Sequence, residues 1–232
     1  MTDLYLVGES HFDLYGYGRL MRIFRFLRPF AIATEDTGTE FHEALQISKK
    51  WQQPKTLEIA IQNAVKQFPK ANHETLKLWL RSVHYSVQAI SDYSTPNSIP
   101  VLYCDDPAVL TEVDFRGARG NQPSSANAEM TRFLSLPPEA AKQDIQIEYE
   151  QEYYPVSDLP ELVEFYSKRD NFAEPLLRQQ ISRRRLQQGV LVYACGLDHL
   201  YGNYRPNLFD RLADLNPIRM KLSDADRLPA VQ

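Results

Sequence analysis

Two histidines follow strand-like apolar runs with the same spacing from a glycine. Residues 3–7 (DLYLV) lead into residues 8–11 (GESH), and residues 190–194 (VLVYA) lead, one residue later, into residues 196–199 (GLDH). Ligands collect beyond the carboxyl ends of parallel strands, where residues that are remote in sequence can meet. A glycine at a strand exit allows the sharp turn that presents such a side chain. The repeated pattern predicts that His11 and His199 share one site.

Carboxylates follow two further strand-like runs. Residues 31–34 (AIAT) exit into Glu35 and Asp36, and residues 99–104 (IPVLYC) exit into Asp105 and Asp106. If all these strands belong to one parallel sheet, the acids lie at the same edge as the histidines. This edge therefore combines imidazoles with carboxylates.

Two neutral imidazoles and a carboxylate form a suitable ligand set for a divalent metal ion such as manganese, cobalt or zinc. A bound ion would lower the pKa of a coordinated water, and a free carboxylate nearby could take its proton. His11, His199 and Glu35 are the predicted ligands, with Glu35 open to three roles: metal ligand, general base or helix-capping acid. The secondary candidates are acids that could also point away or orient a histidine: Glu9, Asp36, Asp105, Asp106 and Asp198.

The spacing of apolar residues predicts the elements that position these side chains. Residues 15–27 carry apolar residues at helical intervals and stop before Pro29, so that residues 3–34 read as a βαβ unit. Residues 39–98 are helical in pattern, with breaks near Pro54 and Pro69, and are predicted to form a cap-like insertion. The expected fold is a single α/β domain over residues 1–232, with a central, mostly parallel sheet and flanking helices.

Three segments have weaker patterns. Residues 115–125 (FRGARGNQPSS) are typical of a loop and could cover the site. Residues 145–149 are too short and acidic to assign confidently to a strand and could belong to a helix. Residues 207–232 are expected to contain one short helix followed by a polar tail.

Composition limits the classes of partner and compartment. The net charge of −4 argues against a nucleic-acid-binding protein. The two cysteines, Cys104 and Cys195, do not form a disulfide framework and are expected to be buried thiols. No apolar run approaches the about 20 residues needed to span a membrane, and no signal-peptide pattern is seen, so a cytoplasmic protein without membrane contact is expected. The oligomeric state is left open.

The order of these motifs resembles the Tiki/TraB type of the superfamily that also includes erythromycin esterase and the haem-binding ChaN proteins. The resemblance rests on the first Gly-x-x-His, the strand-end Glu35, residues 169–173 (RDNFA), and the second Gly-x-x-His followed by Leu200. It leaves residues 39–156 largely unmatched. Phe172 stands where a methionine is common, and the acidic motif reads Thr-Glu-Asp rather than Glu-Leu-Asp.

The resemblance implies a metal-dependent hydrolase that cleaves amide or ester bonds in a peptide or small molecule. It also implies that Arg169 lies by the mouth and neutralises a substrate carboxylate or a developing oxyanion, whereas an ion pair with Asp170 or another acid is the structural alternative. Because one superfamily fold serves several chemistries, two other functions stay open. One is a non-catalytic protein that binds a ligand, haem or a peptide, and the other is a metal-free esterase with a histidine base.

Overall fold

The computed structural model describes residues 2–108, 124–153, 160–183 and 188–229. A five-stranded parallel sheet lies at its centre in the order β3-β2-β4-β1-β5. The strands are β1 (Thr2–Glu9), β2 (Ala31–Thr34), β3 (Val101–Tyr103), β4 (Gly189–Gly196) and β5 (Ile218–Lys221). Helices flank this sheet, which confirms the predicted α/β class.

The described helices account for most of the chain between the strands. They are α1 (Gly16–Leu27), α2 (Gly38–Trp51), α3 (Pro54–Gln67), α4 (His73–Ser82), α5 (Tyr85–Asn97), α6 (Ser124–Ser135), α7 (Pro138–Glu150), α8 (Pro160–Arg183), α9 (Leu197–Tyr201) and α10 (Leu208–Arg211). Two 3₁₀ turns follow at Ala213–Leu215 and Leu222–Arg227. None of the described helices is long and apolar enough to cross a membrane.

The three inner strands are buried because helices cover the sheet. Nearly all residues of β2 and β4 are inaccessible, as expected for parallel strands that pack on both faces. Helix α1 buries Leu20, Ile23 and Phe24 and ends at Arg28, whose φ of 49° is left-handed. Pro29 then breaks the helix and starts the approach to β2.

The pairing of the inner strands brings the two Gly-x-x-His motifs side by side, offset by one residue. Strand β4 lies between β1 and β2, and its register places Gly8 opposite Cys195 and Glu9 opposite Gly196. Thr34, the last residue of β2, is opposite Ala194. The carboxyl ends of β1, β4 and β2 therefore lie side by side.

The region predicted as a helical insertion contains α2 to α5, between β2 and β3. Pro54 is the first residue of α3, and the Asn72 side chain caps α4 by accepting from the amides of Glu74 and Thr75. Helix α5 packs against α1. The predicted helical breaks are thus confirmed, whereas the role of this region as a cap stays a prediction.

Two weakly patterned segments differ in outcome. Residues 145–149 lie within helix α7, the alternative that the sequence left open. The expected polar tail after the short C-terminal helix was wrong in one respect, because residues 218–221 form β5 on the edge of the sheet beside β1. The four residues alternate apolar and charged side chains, but a run of this length is too short to signal a strand, and the edge of β1 supplies the partner. Most of the predicted loop over residues 115–125 lies outside the described residues.

Candidate functional site

The Glu35 carboxylate lies close to both predicted histidines. Its Oε1 lies 3.7 Å from His11 Nε2, and its Oε2 lies 3.5 Å from His199 Nε2. The backbone N–H of Gly196 donates to Oε2 at 2.7 Å, which fixes the carboxylate over the end of β4. The structure therefore brings His11, His199 and Glu35 together, as the sequence predicted.

Helix α9 carries His199 and packs tightly over β1. A β carbon at Gly8 would lie 2.9 Å from Leu197 Cδ2 and 3.3 Å from Tyr201 Cε2, so a larger residue at this position would displace the α9 side chains that pack on the strand. This close approach is a packing role for the glycine of the first motif. It contributes to the placement of the histidine of the second motif.

Arg169 joins the ends of two strands. Its Nη2 lies 2.6 Å from Asp105 Oδ2, its Nε donates to the same oxygen at 2.9 Å, and Nη2 also donates to the Glu35 carbonyl at 3.1 Å. The guanidinium is 3.9 Å from Glu35 Oε2, and the side chain is mostly buried. The ion-pair partner is therefore Asp105 and not Asp170, and these contacts favour a positioning role. A direct role for Arg169 on substrate stays a prediction.

Asp170, the next residue of α8, holds His199. Its Oδ1 lies 2.5 Å from His199 Nδ1, while its Oδ2 accepts a hydrogen bond from Tyr204 Oη at 2.7 Å. Asp170 is fully buried. A carboxylate at Nδ1 favours the tautomer with the proton on that nitrogen, so Nε2 is left with its lone pair. Sequence reasoning mentioned Asp170 only as a partner for Arg169 and missed this function.

His199 is enclosed on its other sides by aromatic rings and apolar residues. The ring of Tyr166 contacts the imidazole edge to face, with centroids 5.1 Å apart, and it stacks on Tyr204. Tyr166 Oη donates to Asp198 Oδ2 at 2.7 Å, so this secondary candidate has a structural partner. Within the described parts of the chain, Nε2 of His199 is a buried nitrogen without a hydrogen-bond partner.

His11 is held differently. Its side chain is 74% exposed, against 2% for His199. The preceding residue is fixed by three bonds: Ser10 N–H donates to Tyr149 Oη at 3.0 Å, Tyr85 Oη donates to the Ser10 carbonyl at 2.9 Å, and Ser10 Oγ donates to Glu148 at 2.6 Å. The backbone of the turn is thus anchored while the imidazole faces solvent. No local sequence signal connects these tyrosines to residue 10.

The acids around the site have pKa values shifted in opposite directions. Burial by itself raises the pKa of Glu35, but the Arg169 guanidinium, the two imidazoles and the Gly196 N–H lower it below the usual range. Burial and the nearby Glu35 charge raise the pKa of Glu9 well above its usual value. Burial also raises the pKa of Asp36 to about 6, against the lowering effect of its bond from Thr34. Glu35 is accordingly the carboxyl that stays ionised.

Asp36 and Asp106 have structural partners, whereas one oxygen of Glu9 has none among the described residues. Asp36 accepts a hydrogen bond from Thr34 Oγ1 at 2.5 Å. Asp106 accepts from the backbone N–H of Ala108 at 2.9 Å, which caps the turn after β3. Glu9 is buried at the end of β1, and its Oε2 has no hydrogen-bond partner among the described residues.

The donors as they lie are not arranged to hold a metal ion. In residues 2–108, 124–153, 160–183 and 188–229, no group of three or more His, Cys, Asp or Glu side chains has the required arrangement. Glu35 Oε2 is already bonded to Gly196, and the positive Arg169 lies beside it. These partners stabilise the ionised carboxylate without a metal ion. The metal predicted at His11, His199 and Glu35 therefore stays a prediction.

Cys104 and Cys195 are both buried and free, as expected. Burial raises the pKa of the Cys104 thiol to about 12 and that of Cys195 well above its usual value. A thiol that resists ionisation is a poor nucleophile and a poor metal ligand. Although Cys195 immediately precedes Gly196, it adds no reactive group to the site.

The chain matches no protein-family model, no curated protein and no solved structure. The resemblance to the Tiki/TraB type therefore remains a prediction from the motifs, and the chemistry has to be argued from the geometry of the site.

Proposed function

We propose that the protein hydrolyses ester or amide bonds, with His199 as the general base that activates a water molecule. The observation that carries the proposal is the buried Nε2 of His199, which has no hydrogen-bond partner among the described residues and faces Glu35 Oε2 at 3.5 Å. With Asp170 on Nδ1, both facing atoms are acceptors. A water molecule that donates one hydrogen to each would satisfy them both.

Such a water would be poised for attack. Bound between Nε2 and Glu35, it would keep a lone pair free for a carbonyl carbon entering from the side of the exposed His11. As the carbon–oxygen bond forms, His199 would take the water proton and become an imidazolium between two carboxylates, Asp170 and Glu35. Both carboxylates would stabilise this charge, as in other histidine bases oriented by an acid.

The remaining steps need a proton donor at the open side of the site. His11 Nε2 lies 3.7 Å from Glu35 Oε1 and is exposed, so a substrate can contact it. A protonated His11 would donate to the developing oxyanion or to the leaving oxygen or nitrogen. Collapse of the tetrahedral intermediate would break the carbon–heteroatom bond, with the leaving group protonated by one of the two imidazolium ions.

Arg169 would support this reaction indirectly. Its bonds to Asp105 and to the Glu35 carbonyl tie the ends of β2 and β3 together. Its positive charge also keeps Glu35 ionised. An ionised Glu35 is what orients the water and stabilises the His199 imidazolium.

The metal-dependent hydrolase is the second candidate. Its support is limited to two pair separations, 3.5 Å and 3.7 Å between the Glu35 oxygens and the two histidine nitrogens, because the three side chains as they lie do not form a metal site. The ligand–ligand edge of a tetrahedral shell with bonds of 2.0–2.1 Å is about 3.3–3.4 Å. His11, His199 and Glu35 would then hold manganese, cobalt or zinc, which would supply Lewis-acid activation of water. This arrangement requires Glu35 to exchange its Gly196 bond for the metal.

The experiment is a screen of p-nitrophenyl esters and short peptides, with and without a chelator and with added manganese, cobalt or zinc. We expect turnover that survives chelation and falls about 10²–10⁴-fold in Glu35→Gln, because the amide cannot supply the charge. Glu43→Gln on the exposed face of α2 is the matched control and should leave turnover unchanged.

Other outcomes select the alternatives. Loss of turnover on chelation and its recovery with one metal would replace the histidine base by the metal-dependent mechanism. Complete inactivity across the panel, with no divalent ion bound when supplied in excess, would leave the non-catalytic binding protein.

A further inference from the structure

An open cleft lies at the edge of the sheet opposite the candidate site. It has a volume of about 740 Å³, within the range of ligand pockets. Arg28 and Pro29 on one side precede β2, and Ile99 on the other precedes β3. The cleft is therefore at the amino ends of the strands, between the last turns of α1 and α5, and nothing in the proposed hydrolase uses it.

Two arginines line this cleft without forming ion pairs. Arg25 and Arg28 are exposed, and neither guanidinium has a hydrogen bond or salt bridge to a residue that the structure describes. Each guanidinium offers five N–H donors in a planar fork that matches a carboxylate or a phosphate group. The one acid on the wall, Asp92, accepts a hydrogen bond from Tyr17 and is not paired with either arginine within 4 Å.

The floor of the cleft is apolar and well packed. Tyr93 and Met21 are each 9% exposed, and Tyr93 packs against Phe24 with ring centroids 5.3 Å apart. Ile99 and Pro29 complete the apolar surface. A ligand with a flat or apolar body would cover this surface while its charged end meets the arginines.

Negative groups near the two arginines limit how much anionic charge the cleft can bind. Asp92 and the carboxyl ends of α1 and α5, where helix dipoles place partial negative charge, oppose the two guanidinium groups. An anion with several separate charged groups would gain little from this balance. A small anion held by hydrogen bonds from the arginine forks suits it better.

We propose that this cleft binds a small amphiphilic anion, an aromatic or apolar body that carries one carboxylate or phosphate group, through Arg25 and Arg28. This site is separate from the candidate active site. The proposal does not depend on the proposed hydrolase.

Calorimetric titration with four probes of similar shape tests the proposal: benzoate, phenyl phosphate, benzyl alcohol and benzylamine. We expect benzoate or phenyl phosphate to bind the whole protein, and Arg25→Gln/Arg28→Gln to weaken that binding by about tenfold or more, because charge-assisted hydrogen bonds are lost. Benzyl alcohol should bind neither protein measurably. The control Arg81→Gln/Arg183→Gln removes equal charge from two exposed side chains on other helices and should bind as the wild type does.

Circular dichroism melts of both double variants establish that they are folded. Three results would overturn the site: neither anion binds the wild type, the Arg25→Gln/Arg28→Gln variant binds them equally well, or benzylamine binds more tightly than benzoate. The last result would mean that Asp92 and the helix ends make the electrostatic potential of the cleft negative.

Discussion

Gly8 to His11 and Gly196 to His199 have the same spacing and follow neighbouring parallel strands, with the two glycines offset by one residue in the register. After β1 the chain enters a turn, and His11 projects into solvent with 74% of its side chain exposed. After β4 the chain enters helix α9 at once, and His199 is turned into the protein, against Asp170. Equal spacing in the sequence thus accompanies one exposed histidine and one buried histidine held by Asp170.

The difference follows from what each motif packs against. The first turn is anchored through the backbone and hydroxyl of Ser10, by Tyr85, Tyr149 and Glu148. Among the residues that the structure describes, Glu35 is the partner of its histidine. In the second motif the anchor is the imidazole itself. Histidines in such different settings should respond differently to substitution, even though both face one carboxylate.

The largest expected effect comes from removing the acid that orients His199. Asp170→Asn should lower kcat by about 10³–10⁴-fold, since an amide in place of the acid beside a catalytic histidine favours the wrong tautomer. Steady-state kinetics on the best substrate of the ester and peptide screen measures this. Tyr204→Phe is the matched control, because it removes the other hydrogen bond to Asp170 and leaves the Asp170–His199 contact. Wild-type turnover in a folded Asp170→Asn protein would contradict the role of His199 as base.

A smaller effect is expected at the exposed histidine. His11→Ala should lower kcat about 10–100-fold, because loss of general-acid assistance typically costs 10²-fold or more and water can partly replace an exposed donor. The free energy of unfolding should change by less than about 0.5 kcal/mol, as for other exposed positions. His73→Ala, at an exposed position on α4, serves as the control for both measurements. A His11→Ala loss as large as that of Asp170→Asn would mean that the two motifs act as one unit, as a shared metal would require.

The third expected effect concerns stability and not turnover, on the His11 side of Glu35. The pKa of Asp36 is raised to about 6, chiefly by burial, and a charge on His11 opposes the shift. A raised carboxyl pKa stabilises the fold below the unfolded value, and this contribution is lost as the pH rises through about 6. At pH 8 the free energy of unfolding of Asp36→Asn should therefore exceed that of the wild type by about 1–3 kcal/mol. At pH 4 the two proteins should be equally stable.

Chemical denaturation at pH 4, 6 and 8 measures the Asp36→Asn effect, with Asp3→Asn at an exposed position as control. A gain that is equal at all three pH values would show that burial of the charge is not its cause.

The sequence by itself determined the strands that carry the chemistry and the edge at which it gathers. Apolar runs of strand length followed by His11, Glu35 and His199 were sufficient, because parallel strands in one sheet direct their carboxyl ends to the same side. The helical stretches and their breaks could also be predicted from the sequence, since apolar periodicity and proline act locally. The short edge strand β5 could not be predicted from the sequence, because its pairing depends on β1 and not on its own four residues.

Only the tertiary structure decided which partner each charged group received. Arg169 and Asp170 are adjacent in sequence, yet the guanidinium pairs with Asp105 and the carboxylate pairs with His199. Successive side chains on a helix point about 100° apart, so neighbours in sequence face different surroundings. The burial of one histidine and the exposure of the other depend on elements remote in the chain, and spacing alone does not encode such contacts.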